Sequence, residues 1–197
     1  MPSISFSFED LCKLVGKKIS DEEFTILLDR AKAELDSKLS TEVTVKYNDT
    51  NQPYLWSVEG LARHFRASLG KSKGVPQIKL EKSELQLSVD KSVEIVRPFI
   101  ACFVAKGPAI SDYVLNQLIQ MQEKLADNFG RKRQKVAVGL FPVKKVEWPL
   151  SYEAVEPQFK MVPLGISRSL SLKEVLEQHS KGKEYAHLLK GFKKYPV

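Results

Sequence analysis

Two neighbouring segments of opposite period constrain this chain most. TEVTVKY at 41–47 alternates, with Val43, Val45 and Tyr47 on one face, and predicts a half-buried strand. Soon after it, Val58, Leu61, Ala62, Phe65 and Leu69 recur at helical spacing behind Ser57, a natural N-cap, and Gly70 ends the run. DTNQP, rigid and polar, joins the two. A strand that turns at once into a helix, each with one apolar face, predicts a small α+β unit with a shared core.

The flanking pattern agrees. SISFSF alternates and predicts a first strand, and EDLCKLVG a short helix closing at Gly16. Ser20 with Glu23 forms a capping box, behind which Phe24, Leu27, Leu28, Ala31 and Leu35 predict a helix over 21–36. GKSKGVPQ at 70–77 carries glycine, lysine and proline with no apolar period and reads as a linker. Beyond it, LQLSV (85–89), the strongly apolar RPFIACFVAKG (97–107), KVAVGLF (135–141) and part of VEWPLSYEAV, interrupted at Pro149, predict strands. Ser111 caps a long helix through Phe129, with Val114, Leu118, Met121, Leu125 and Phe129 inward. Ser171 and Glu174 box a further helix, and KEYAHLLKGF predicts the last. The expected architecture is α+β: a module over 1–75, then a mixed sheet with packed helices over 78–197. KYPV reads as the entry to a strand, so the second part is expected to be truncated.

With 43% apolar residues in 197, the chain can build a real core. Its net charge of +7 suits a polyanionic partner without fixing the fold. No apolar run approaches membrane-spanning length, so no membrane partner is expected, and the N-terminus lacks signal-peptide character. Cys12 and Cys102, without CxxC spacing, read as reduced core thiols.

A self-contained catalytic constellation is missing from the sequence. There is no Gly-rich phosphate loop, HExxH or paired CxxC, and His64, His179 and His187 are scattered. No catalytic residue and no metal ligand is nominated. The strongest charge feature is GRKRQK at 130–135. Two uses are open for it. Cations past a helix end complement the macrodipole by about 0.3–1 kcal/mol. Alternatively, Arg131 and Arg133 act as forked phosphate donors with Lys132 and Lys135 as point charges. Lys181, Lys183, Lys190, Lys193 and Lys194 form a second cluster that reads mostly as a solvated face. Trp56 reads as a core anchor.

DTNQPYLWSVEGLAR resembles the Asn-Arg-Pro-Asp-x-x-Ser-x-x-Gly-x-Ala-Arg signature in the N-terminal module of phenylalanyl-tRNA synthetase beta subunits. Asn51, Pro53, Ser57, Gly60, Ala62 and Arg63 match it. VRPFIACFVAKG and LIQMQEKLADNFGRKRQKVAVGL resemble the start of the editing module in the archaeal and eukaryotic-cytosolic type, so the likeness covers essentially the whole chain. Gln52 and Tyr54 stand where the family has Arg and Asp, removing a local ion pair, and Phe141-Pro142 falls where an acidic residue is usual.

The resemblance implies an alpha-beta heterotetramer in the cytoplasm that joins phenylalanine to tRNA with ATP and magnesium, none of them held by this chain. It assigns the ligation chemistry to the alpha subunit and hydrolysis of mischarged tyrosyl-tRNA to the beta editing module. Apolar pockets reject an added hydroxyl by only about 100-fold, which is why a second hydrolytic site is needed. In this frame Asn51, Pro53, Ser57, Gly60 and Arg63 serve shape, with Asn and Pro building the turn and Gly60 allowing close helix packing. Arg131, Lys132, Arg133 and Lys135 serve tRNA. Two other readings stay open: a free-standing tRNA- or protein-binding relative, and a trans-editing hydrolase.

Overall fold

A computed structural model describes the chain from Met1 to Val197 apart from residues 50 and 108, so Thr50 of the DTNQP turn lies outside the described residues. Two compact units result: Met1–Ile78 with Pro108–Gly139, and Lys79–Gly107 with Leu140–Val197.

The first unit is built on three antiparallel strands, β1 (Ser3–Ser7), β2 (Ala33–Leu39) and β3 (Glu42–Tyr47), in the order β1-β3-β2. The register sets Ile4 opposite Val45 and Phe6 opposite Val43. Alternation then gathers Ile4, Phe6, Val43, Val45 and Tyr47 into one buried cluster. Three helices complete that core: α1 (Phe8–Val15), α2 (Asp21–Arg30) and α3 (Val58–Ser68). They contribute Leu11 and Val15, Phe24, Leu27 and Leu28, and Leu61, Ala62 and Phe65 respectively. Phe24 meets both Phe8 and Phe65 edge-on, with centroids 5.1 and 6.1 Å apart. Ser7 caps α1, and Gly16 closes it at φ 76°.

The helix expected over 21–36 ends at Arg30. Lys32 takes φ 52° and the chain enters β2, where pairing with β3 outweighs the helical period. Leu35, expected inward, is therefore exposed on an edge strand. The capping box at Ser20 is half made. Glu23 N–H donates to Ser20 Oγ at 3.2 Å, while the Glu23 carboxylate pairs with Lys17 at 2.8 Å.

The helix α4 (Asp112–Lys124) is capped by Ser111, as the pattern implies, and runs on into a π-turn, Leu125–Phe129. Its contact face differs from the expected apolar stripe. Ser5 N–H donates to Gln120 Oε1 at 2.8 Å, and Gln117 and Gln120 Nε2 donate to Ser5 O at 3.1 and 3.0 Å. Ser7 N–H donates to the Tyr113 hydroxyl at 3.2 Å, and that hydroxyl donates to Asp10 at 3.1 Å. β1 is an edge strand, and polar side chains of α4 supply partners for its outward backbone groups. Leu125 still packs on the core, whereas Val114 and Phe129 are exposed.

The second unit consists of small paired ribbons. β4 (Leu87–Val89) pairs parallel with β5 (Leu150–Tyr152). β6 (Ala154–Val155) pairs antiparallel with β9 (Tyr195–Pro196), and β7 (Lys160–Met161) with β8 (Leu170–Ser171). The whole is α+β. The short helices α5 (Leu172–Gln178) and α6 (Ser180–Tyr185) touch so closely that a Cβ on Gly182 would lie 1.9 Å from Val175 O. The Ser171–Glu174 capping box is complete. Residues 97–107 and 135–141, expected as strands, join no ladder among the described residues. Apolar composition alone does not make a strand, which is stabilised by its neighbours. Phe99 and Phe103 are 89% and 86% exposed. Cys102, expected in a core, is exposed as well.

Candidate nucleic-acid interface

Asp49 opens the signature turn. Its carboxylate accepts Asn51 N–H at 2.8 Å and pairs with Lys32 at 3.3 Å. Those two contacts, the backbone one foremost, hold its carboxyl below the usual aspartate value. Pro53 then starts a 3₁₀ turn, Pro53–Leu55. Gln52 and Tyr54, the departures from the family pattern, are joined by a hydrogen bond of 2.9 Å from the Tyr54 hydroxyl to Gln52 Oε1. A neutral contact thus stands where the resemblance implies an ion pair. Leu55 and Trp56 are buried, and Ser57 Oγ accepts Gly60 N–H at 3.1 Å.

Gly60 is fixed by a close approach. A Cβ there would lie 1.6 Å from Tyr54 O and 3.4 Å from Ser57 Oγ. The sequence suggested close helix packing; the neighbour is instead the carbonyl of the preceding turn. Arg63 is the exposed charged member of the set. These contacts of the described residues run within the turn itself, to Lys32 and to the start of α3.

The cationic stretch is built differently. Gly130 N–H donates to Leu125 O at 2.7 Å, closing the π-turn. Arg131, Lys132 and Arg133 then all adopt positive φ, at 50°, 53° and 64°. Their amides return in nested order to Asn128 O, Asp127 O and Ala126 O at 3.1, 2.9 and 2.9 Å. Lys135 N–H donates to Gly130 O at 2.8 Å. A Cβ on Gly130 would lie 2.2 Å from Val136 O and 2.4 Å from Ala126 O, so the return needs glycine there. Left-handed backbone costs a non-glycine residue about 1–2 kcal/mol. Three in succession store strain of the kind that gathers at functional sites.

Because these amides are already bonded, they form no anion-binding nest, and the side chains alone are left to meet an anion. The terminal carbonyls are capped by the same amides, so the cations are not consumed as caps. Arg131, Lys132 and Lys135 are exposed, and Arg133 is half-buried. Among the described residues no ion pair engages Arg131, Lys132 or Lys135. Phe129, directly before Gly130, is 56% exposed; the helical pattern had turned it inward.

Other candidates have ordinary roles. His64, His179 and His187 each set a ring nitrogen 3.1–3.2 Å from a backbone carbonyl. Lys181 pairs with Glu184 and Lys194 with Glu156. Among the described residues no group of three or more His, Cys, Asp or Glu side chains comes together as a metal site.

No family model matches the chain. Curated proteins do. The phenylalanine–tRNA ligase beta subunit of Thermococcus onnurineus is 42% identical over 201 residues, covering 100% of this chain and 35% of that protein. That of Borreliella afzelii is 39% identical over 208 residues, covering 100% and 36%. The crystal structure of an N-terminal fragment of the phenylalanyl-tRNA synthetase beta subunit from Pyrococcus horikoshii matches with a TM-score of 0.90 at 38% identity. It covers 99% of this chain and 57% of that one. The class that these likenesses define is the aminoacyl-tRNA synthetases. Within it, the chain belongs to the phenylalanine–tRNA ligase beta subunit family and spans about a third of the length of the curated relatives it matches.

Proposed function

We propose that this chain acts as part of a phenylalanine–tRNA ligase beta subunit and that Arg131, Lys132, Arg133 and Lys135 hold tRNA through its phosphates. The observation that carries this reading is the strained turn, which displays Arg131 and Lys132 at the surface, where no ion pair engages them among the described residues. Phosphate contacts fix register and orientation and carry little sequence information, which suits a surface that positions an RNA for chemistry elsewhere. Residues 1–75 serve as a structural module, and 78–197 as the start of a module for editing mischarged tyrosyl-tRNA. The alpha subunit, in an alpha-beta heterotetramer, supplies ligation with ATP and magnesium. Among the described residues no group of three or more His, Cys, Asp or Glu side chains gathers as a site for that metal. The setting is the cytoplasm; no helix among the described residues is long and apolar enough to cross a membrane.

Converting all four cations to Gln tests the reading. Affinity for tRNA falls by about 10- to 100-fold at low salt. The slope of log affinity against log salt shrinks by roughly 3. Unchanged affinity with an unchanged slope rejects it. The chain alone leaves tyrosyl-tRNA intact on this reading; deacylation above background would favour a trans-editing hydrolase.

A further inference from the structure

We propose that Phe129 and the left-handed turn beyond it form a subsite for unpaired RNA, with one base stacked on the Phe129 ring and neighbouring phosphates on Arg131 and Lys132. The inference rests on the RNA-holding reading of the same turn and adds the kind of RNA it takes. Cations alone bind any polyanion, and duplex and single strand offer them similar phosphates. What separates the two is a free aromatic face, because a base can lie on it only when unstacked from its own helix.

Here the aromatic is present and its exposure is built in. Apolar spacing along α4 would turn Phe129 toward the core with Leu125. The π-turn over Leu125–Phe129 adds a residue to the helical turn, Leu125 stays packed on the core, and Phe129 is left 56% exposed. Gly130 then lets the chain reverse immediately, so that Arg131 follows the ring after one residue. A nucleotide carries its phosphate and its base on the same short unit, and a ring next to a cation matches that unit. Arginine beside an aromatic also joins in the stack itself.

Polarisation binding separates the outcomes, using a non-self-complementary RNA of about a dozen nucleotides and a hairpin duplex of equal phosphate count. The native chain prefers the single strand. Phe129→Leu, which keeps apolar bulk but removes the π face, weakens single-strand binding about 10-fold and leaves duplex binding and the salt slope unchanged. Phe129→Trp restores or exceeds native single-strand affinity, which a purely structural role for the ring would not produce. Equal loss on both probes, or no loss with Phe129→Leu, overturns the subsite. If the four-cation variant still loses binding to both probes in that case, the phosphate-holding reading stands by itself. If it does not, both fail together.

Discussion

Gly60 and Gly130 are the same device put to opposite ends. Each is pressed against backbone carbonyls that leave no room for a Cβ: Tyr54 O at 1.6 Å for the first, Val136 O and Ala126 O at 2.2 and 2.4 Å for the second. Around Gly60 the chain is relaxed and inward-looking, with Trp56, Val58 and Leu61 buried and Ser57 capping the helix. Around Gly130 three consecutive residues take positive φ and expose charge. One close approach locks a core; the other bends the backbone to display side chains. The difference teaches that a tight glycine contact reports a sharp reversal of chain, and the surroundings decide whether the reversal buries side chains or displays them.

Four experiments press on this contrast. Gly60→Ala is expected to have the largest effect. Its Cβ meets rigid backbone within the core unit, and unfolding by urea should show a loss of about 3 kcal/mol or more. Gly130→Ala should cost less, about 1–2 kcal/mol, because a turn at the end of α4 can open locally. It should nonetheless weaken RNA binding with no change in charge. A Gly130→Ala protein that binds RNA normally would break the link between the bend and recognition.

Lys132→Gly reverses the usual direction. Removing a Cβ from a left-handed residue should raise stability by about 1 kcal/mol while lowering RNA affinity severalfold. Thermal unfolding and RNA binding, measured on one preparation, check both halves. The smallest effect concerns acid. Asp49 has its carboxyl held below the ordinary value, so its contribution is present above that value and fades as pH falls through the lowered one. In that acid range the Asn51 amide resonance should move, since its partner is a carboxylate. The amides of Arg131, Lys132 and Arg133 should stay put, since theirs are backbone carbonyls.

Much of the core was written locally. Val43, Val45 and Tyr47 alternate, and Val58, Leu61, Ala62 and Phe65 follow a helical stripe behind Ser57; all are buried. What escaped depends on distant partners. No local signal says that Ala33–Leu39 would leave the helix to pair with β3, nor that α4 would present Tyr113, Gln117 and Gln120 to β1. The apolar stretch around Phe99 illustrates the same limit, for strand composition does not supply a neighbour. At the candidate interface the cations were visible as GRKRQK, but their left-handed backbone was not, because nothing in Arg-Lys-Arg favours it. The exposure of Phe129 had a faint trace: an aromatic directly preceding the basic run in FGRKR.

The glutamines of α4 carry a consequence for behaviour at high concentration. An open strand invites a second molecule to add its own, and the result is stickiness and exchange of strands between copies. Ser5 has both backbone groups occupied by Gln117 and Gln120, so that invitation is withdrawn at the middle of β1. Replacing the two amides with alanine removes no buried core residue and should raise self-association, which light scattering against concentration would read.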